Sequence, residues 1–453
     1  MLGGSSSING LVYIRGQAED YDHWRQLGNQ GWSYEDLLPY FKRSEDQTRG
    51  NDAFHATGGP LAVSDLEHHV LGEAFIAAST ALGIPRNDDF NGATQEGVGY
   101  FQLTTRNGRR CSAARAFLRP AMTRPNLRVV TRALAERVLI EGKRAVGIVY
   151  RHDGQSVTLR CTREVILSGG AVNSPQLMLL SGIGPQEHLK EMGIVVQHHL
   201  PGVGQNLQDH FQTRICHKCT LPITVNDIMA SPLKKLGAGM RYVLTRTGPL
   251  TISAGLVCLF AKTRPELATP DIQYHFLCFS ADRPAAGLHK FSGFTTNVCQ
   301  LRPESRGSIT LKSPDPAAPP AIRANYLATE LDRATLVAGL QLARRIAAQP
   351  AMQRYIKSEY LPGEGVTTDK QLLDYARDYG GSIFHPSGTC KMGRDAMAVV
   401  DPELRVHGLA GLRIADASVM PTVVSGNTNA AAIMIGEKAS DLVLNAARAR
   451  AAA

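Results

Sequence analysis

The sequence predicts an α/β chain with a second part of α+β type, and three stretches carry that prediction. Arg163-Glu-Val-Ile-Leu-Ser reads as a buried strand entering Gly169-Gly170-Ala171 and a short apolar helix from Pro175 to Leu180, a βα unit of nucleotide-binding type. The tail, Ser382 to Leu444, repeats that logic. A short apolar strand, Leu412 to Ala415, closes on Asp416, and a mostly apolar helix follows from Ala430, with Asn427 and Thr428 placed to cap it. Between these units, Ile215 to Thr310 carries short strands (Gly255 to Ala261, Ile272 to Cys278, Ser308 to Leu311) separated by Pro- and Gly-containing loops, which predicts an antiparallel sheet.

In chain order, the first element is a loop. Gly3-Gly4-Ser5-Ser6-Ser7-Ile8-Asn9-Gly10 is a backbone that can press against a ligand and offer N–H and O–H donors. Such a loop normally sits inside a domain, so an upstream segment is expected. Asp20 to Lys42 reads as helix-rich, anchored by Trp24, Trp32, Leu37, Leu38 and Phe41, and Leu71 to Leu82 as an amphipathic helix. Alternating apolar residues predict strands at Leu127–Thr131, Ala135–Ile140 and Ala145–Tyr150, with turns at Gly142 and Gly154. Ser174 can cap the helix that starts at Pro175. The pairs Gly182/Gly184 and Gly202/Gly204 are not completed to G-x-G-x-x-G, and no complete fingerprint of that kind occurs. Leu331 to Ala347 and Asp369 to Tyr379 are helices.

Composition narrows the function classes. The chain has 453 residues, enough for two or three cores, with 43% hydrophobic and 20% charged residues. No apolar run reaches the roughly 18 residues of a membrane span, and no signal-like start is visible. That predicts a cytoplasmic place, with peripheral attachment at the inner membrane face as the option left by the net charge of +9. The basic residues are scattered and aromatics are only 6%, which speaks against a nucleic-acid surface. Eight cysteines form no dense framework, which points to a reducing compartment. Cys216-His217-Lys218-Cys219 lacks a second pair, and His68-His69 and His198-His199 are neighbours that point apart on a strand, so no metal site is expected.

The tail carries the chemistry. His385 sits in the Pro/Ser/Gly loop Ser382-Ile-Phe-His-Pro-Ser-Gly, where a neutral imidazole can take a proton near neutral pH. A strand ending on an acid and a helix start rich in N–H groups suit an extended cofactor that gains negative charge. Base, electron-poor acceptor and helix N-terminus together suggest oxidation of an alcohol.

The motifs also resemble those of the glucose–methanol–choline (GMC) family of FAD-dependent oxidoreductases, in its choline/alcohol dehydrogenase-like branch. Leu2-Gly3-Gly4-Ser5-Ser6-Ser7-Ile8-Asn9 with Tyr13, Gly16 and Asp22 is similar to that family's first signature. Gly170-Ala171-Val172-Asn173-Ser174-Pro175 with Ser181-Gly182-Ile183-Gly184 is similar to its second, and Val203 to His210 and the whole tail also match. The resemblance implies a truncated Rossmann-like FAD-binding domain, discontinuous over residues 1–68, 110–220 and 384–453. A substrate domain of residues 69–109 and 221–383 would roof the flavin with its antiparallel sheet. It places Gly3, Gly4, Ser5, Asn9, Gly10 and Leu11 along the isoalloxazine, the Val138 backbone at adenine, Asp416-Ala417 near the ribityl–diphosphate region, and Asn427-Thr428 by the flavin pyrimidine. His385 is implied as the base that takes the hydroxyl proton while a hydride passes to flavin N5, with Asn427 as its partner.

Three departures qualify the likeness. The G-x-G-x-x-G segment that members carry upstream of the first signature is absent from the sequence, which suggests a start assigned too late. Ser253-Ala254-Gly255 stands where choline-oxidising members tend to have Glu-Ala-Gly, so an uncharged alcohol becomes at least as good a substrate as choline. Ile8 stands where some members have a His bonded to the flavin, so the FAD should be non-covalent. The expected partners are a small-molecule alcohol and an electron acceptor, a quinone or another acceptor. The alternatives are an oxidase using O₂, a hydroxynitrile lyase on the same fold, and an inactive fragment.

Overall fold

The computed structural model describes residues 1–253, 255–282 and 287–452, so Ala254 lies outside the described residues. Two large hydrophobic cores and a small third cluster around Val12, Ile14, Phe101, Phe260 and Leu301 organise the chain. The first gathers Trp24, Trp32, Leu37 and Phe41 from the N-terminal helices, Leu167 and Met178 from the βα unit, and Ile414, Met434 and Ile435 from the tail. The strands Val165–Leu167 and Leu412–Ile414 pair in parallel, so two segments about 250 residues apart in sequence lie side by side, each entering a helix. Parallel pairing requires such a crossover. Trp24 Nε1 donates to the Thr422 carbonyl at 3.1 Å and Trp32 Nε1 to the Pro402 carbonyl at 2.9 Å, which ties the N-terminal helices to the tail.

The second core lines a seven-stranded sheet. Its strands run in the order Ile356–Leu361, Phe211–Cys219, Gly293–Gln300, Ile272–Leu277, Val257–Ala261, Gly97–Tyr100, with Gly381–Ser382 also paired to Phe211–Cys219. Every pairing is antiparallel, and the three central strands are buried on both faces, with Gln273, His275, Thr295 and Asn297 sharing one of those faces. The helix Glu330–Ala347 packs on one face through Leu336, Leu340 and Ile346. A boundary at residue 220 falls after Phe211–Cys219, a strand that belongs to this sheet and this core.

Local departures from the sequence reading have local causes. Leu127–Thr131 forms no strand; it is a mostly exposed loop with no partner strand beside it, and the strand begins at Ala133 after Arg132 takes φ 55°. A third strand, Gln155–Arg160, completes that antiparallel unit. The helix of the βα unit starts at Gly170, not Pro175, so Pro175 sits inside it and Ser174 is not its cap. Two helices, Val225–Ala230 and Pro232–Thr245, interrupt the stretch read as strands and loops.

Candidate active site

Two segments far apart in sequence zip together to build the site. Gln208 and Ser387 exchange backbone hydrogen bonds at 3.0 and 2.8 Å, and the Ile383 N–H donates to the His210 carbonyl at 3.0 Å. This sets His385 opposite His210. Asp209 locks the loop: one carboxylate oxygen accepts the His385 backbone N–H at 2.8 Å, and the other accepts the Ser382 and Tyr326 hydroxyls, each at 2.5 Å. All three donors point at one carboxylate, which ties Ser382, His385 and Tyr326 together.

The ring tautomers follow from a fixed end point. His210 Nε2 lies 2.8 Å from the Leu301 carbonyl oxygen, which can only accept, so Nε2 carries the hydrogen. Burial holds His210 below the usual histidine range, so it is neutral and its Nδ1 is bare. His385 Nδ1, 3.0 Å away, must therefore donate to it. His385 is buried beside His210 and His275, and burial first, then the two imidazoles, keep it well below the ordinary value. It too is neutral, which leaves Nε2 as the bare nitrogen. Asn427 Nδ2 sits 3.2 Å from that Nε2, and Gln273 Nε2 donates to Asn427 Oδ1 at 3.3 Å, which orients the amide. The chain of donors thus runs Gln273, Asn427, His385, His210, Leu301.

Asn427 is delivered by a constrained loop. Gly426 takes φ 148°, and a Cβ there would meet Ile14 Cγ2 at 2.4 Å, so only glycine fits. The preceding Ser425 is held by Asp20, whose carboxylate accepts its backbone N–H at 2.6 Å and its hydroxyl at 2.7 Å. The helix then runs from Asn429 to Ala452, and the Thr428 carbonyl accepts the Ala432 N–H. The Asn427 side chain points at His385 and Gln273, so its role here is not that of a helix cap.

The remaining predicted residues fall in two places. Gly3 to Leu11 forms a short 3₁₀ turn over Gly4–Ser7 with Gly4, Ser5 and Ile8 exposed. Arg110 organises it, donating to the Ser6 carbonyl at 3.1 Å, to Asn9 Oδ1 at 2.7 Å and to the Asn9 carbonyl at 2.8 Å. The Ser253 hydroxyl donates to the Gly10 carbonyl, which brings this loop to the substrate side. Val138 and Asp416-Ala417 lie in the first core. The Val138 N–H donates to Ser181 Oγ at 2.8 Å. Asp416 Oδ2 accepts the Gly170 N–H at 2.9 Å and the Ser174 hydroxyl at 2.5 Å, and Oδ1 accepts the Ser418 N–H at 2.8 Å. This carboxylate joins the two parallel strand ends.

Four residues that matter here were not singled out from the sequence: His210, His275, Gln273 and Arg110. His275 is buried, pushed down to about 4 by that burial, and neither ring nitrogen has a hydrogen-bond partner among the described residues. Gln273 and His275 share one face of the strand Ile272–Leu277, two residues apart, a spacing that alternation alone cannot mark as functional.

An extended anionic cofactor suits these residues. Space is open beside Gly4 and Gly170, where an added Cβ meets nothing within 4 Å, and Gly170 lies at a helix start. His275, next to His385, is a buried polar group still lacking a partner.

The comparisons with known proteins agree. The GMC oxidoreductase family matches over residues 1–212 with its N-terminal part and over 303–436 with its C-terminal part. The oxygen-dependent choline dehydrogenase of Brucella ovis is 44% identical over 447 residues, covering 98% of this chain and 81% of the relative, and that of Rhizobium etli is 43% identical over the same length. Among solved structures, pyridoxine 4-oxidase from Mesorbium loti superposes with a TM-score of 0.86 at 28% identity, covering 96% of this chain and 82% of that one. A formate oxidase from Aspergillus oryzae gives a TM-score of 0.91 at 26% identity, covering 98% and 83%. The chain belongs to the GMC oxidoreductase family and is an FAD-dependent oxidoreductase of the alcohol/choline dehydrogenase-like kind.

Proposed function

We propose that this protein oxidises an uncharged primary alcohol, with His385 Nε2 as the base for the hydroxyl proton. The observation that carries the reading is the donor chain Gln273–Asn427–His385–His210–Leu301, which leaves a bare, buried nitrogen at His385 Nε2. A hydroxyl docked there replaces the weak Asn427 contact and finds an acceptor already oriented. As its proton moves to Nε2, the Asn427 amide N–H is placed to hold the oxygen that gains charge. The imidazolium so formed stays hydrogen-bonded through Nδ1 to His210. Gly3, Gly4, Ser5, Asn9, Gly10, Leu11, Val138, Asp416, Ala417, Asn427 and Thr428 are the residues we assign to holding FAD. When bound, FAD supplies the two-electron acceptor. Ile8 offers no nucleophile, so the cofactor is held non-covalently and leaves with denaturation. A quinone or O₂ takes the electrons onward, and the protein works in the cytoplasm or at the inner membrane face.

One observation favours an uncharged substrate over the choline named for the relatives. Ser253 is neutral and its hydroxyl donates to the Gly10 carbonyl, so this position offers no negative charge to a quaternary ammonium. The identity to choline dehydrogenases keeps choline as the second reading. Steady-state kcat/KM for choline against neutral primary alcohols decides between them. The proposal expects the neutral alcohols to lead, and Ser253→Glu to shift the preference toward choline. A higher kcat/KM for choline in the native protein would overturn it.

A further inference from the structure

The helix Pro232–Thr245 is turned inside out. None of its residues is buried, and its one apolar stripe faces away from the protein. Leu233, Leu236, Met240, Val243 and Leu244 fall within about 100° of each other on a 3.6-residue wheel, and they are between 55% and 81% exposed. The side that meets the body is polar and aromatic: Arg241 Nη2 donates to both Glu67 oxygens at 2.9 Å, and Tyr242 Oη donates to the Gly108 carbonyl at 3.1 Å. Met229 and Leu250, at either end of the helix, are also exposed. An amphipathic helix ordinarily buries such a stripe, so a contiguous exposed one marks a docking face.

Charge selects the occupant. From Ile228 to Pro265 the chain has no Asp or Glu; Lys234, Lys235 and Arg246 form no ion pair among the described residues, while Arg241, Lys262 and Arg264 pair with Glu67, Glu96 and Glu266. Lys234 and Lys235 sit beside the apolar stripe and are exposed. A helix of 14 residues rises about 21 Å, short of the roughly 30 Å of a bilayer core, so it lies along an interface and does not cross. Among the described residues no helix is long and apolar enough to span a membrane. Basic side chains flanking an exposed apolar face fit an anionic lipid surface.

We propose that Pro232–Thr245 is an interfacial membrane-docking helix that seats the protein on anionic lipid. Its seat adjoins the hairpin that carries Arg110: Tyr242 binds the turn at Gly108, and Arg110 organises the Ser6–Asn9 loop.

The test is cosedimentation of the full chain with vesicles of phosphatidylcholine plus phosphatidylglycerol against vesicles of phosphatidylcholine alone. Binding should be at least about tenfold stronger to the anionic vesicles and should fall with added salt. Leu233→Ser with Leu244→Ser, and separately Lys234→Glu with Lys235→Glu, should each lower that binding by about tenfold while the thermal midpoint stays unchanged, because these side chains pack against nothing. Three results overturn the proposal: no binding of the native chain to anionic vesicles, equal binding by the variants, or a dimer in light scattering that the leucine variant abolishes without any vesicle binding.

Discussion

A buried imidazole serves as a base only while one ring nitrogen stays bare, and at His385 that condition is set by His210 and, beyond it, by a backbone carbonyl. Because burial depresses His385, the neutral form persists below the ordinary histidine value, and the acid limb of kcat/KM should lie below about pH 6.5. An acid limb at or above that value would show that His385 is not the titrating base, or that its nitrogen is solvated. The same burial has a stability consequence. His275 is pushed from 6.5 to about 4, so between those values the unfolded chain binds a proton that the folded chain does not. Stability therefore falls as pH drops below the unfolded value, by up to about 3 kcal/mol from His275 alone. His210 and His385 act in the same direction. Urea midpoints measured from neutral to mildly acid pH check this; His275→Leu should flatten the slope. The motifs single out His385 and Asn427 in the sequence, and the fold sets the two side chains 3.2 Å apart. His210, although it stood in a quoted motif, gave no sign of its role, because its partner is 175 residues away and the contact exists only after two loops pair.

At the scale of elements, the parallel pair Val165–Leu167 and Leu412–Ile414 holds the site together, and Asp416 is its clasp. Removing that carboxylate leaves the Gly170 N–H, the Ser174 hydroxyl and the Ser418 N–H without their acceptor. Each orphaned buried donor costs about 1–3 kcal/mol, so Asp416→Ala should lower stability by several kcal/mol. A drop in the chemical-denaturation midpoint would show it, with a smaller drop for Ser174→Ala, which removes one of the three bonds. An Asp416→Ala midpoint equal to the native one would mean that the clasp is solvated. Elements with strong local signals read well from sequence: Val70–Ala81, Glu330–Ala347 and Asp369–Tyr379 lie within a residue or so of expectation. Leu127–Thr131 alternates like a strand but finds no neighbour to pair with, and a strand without a ladder is not stable. Pro232–Thr245 escaped notice because Gly237 and Gly239 weaken its helical propensity and its stripe serves no internal packing.

For the whole molecule, the architecture explains why the chemistry sits where two cores meet. The elements of the first core supply His385, Asn427 and the glycine-rich loops, the sheet lined by the second supplies Gln273 and His275, and His210's anchor Leu301 lies in the small third cluster with Val12, Ile14 and Phe260. The α/β class and the antiparallel sheet were legible from the strand–Gly–helix units and the short strands after Ile215. The meeting of the two halves was not, because the pairing of Gln208–His210 with Ile383–Ser387 depends on topology rather than local pattern. The central claim, that this is an FAD-dependent alcohol oxidoreductase using His385 as base, is tested most directly by anaerobic mixing of the FAD-loaded protein with a primary alcohol while the visible flavin absorbance is followed. The account predicts loss of that absorbance in the native protein, slowed by about 10² to 10⁴-fold in His385→Ala with flavin still bound. Flavin that stays oxidised with every alcohol tried, or bleaching at the native rate in His385→Ala, would contradict it.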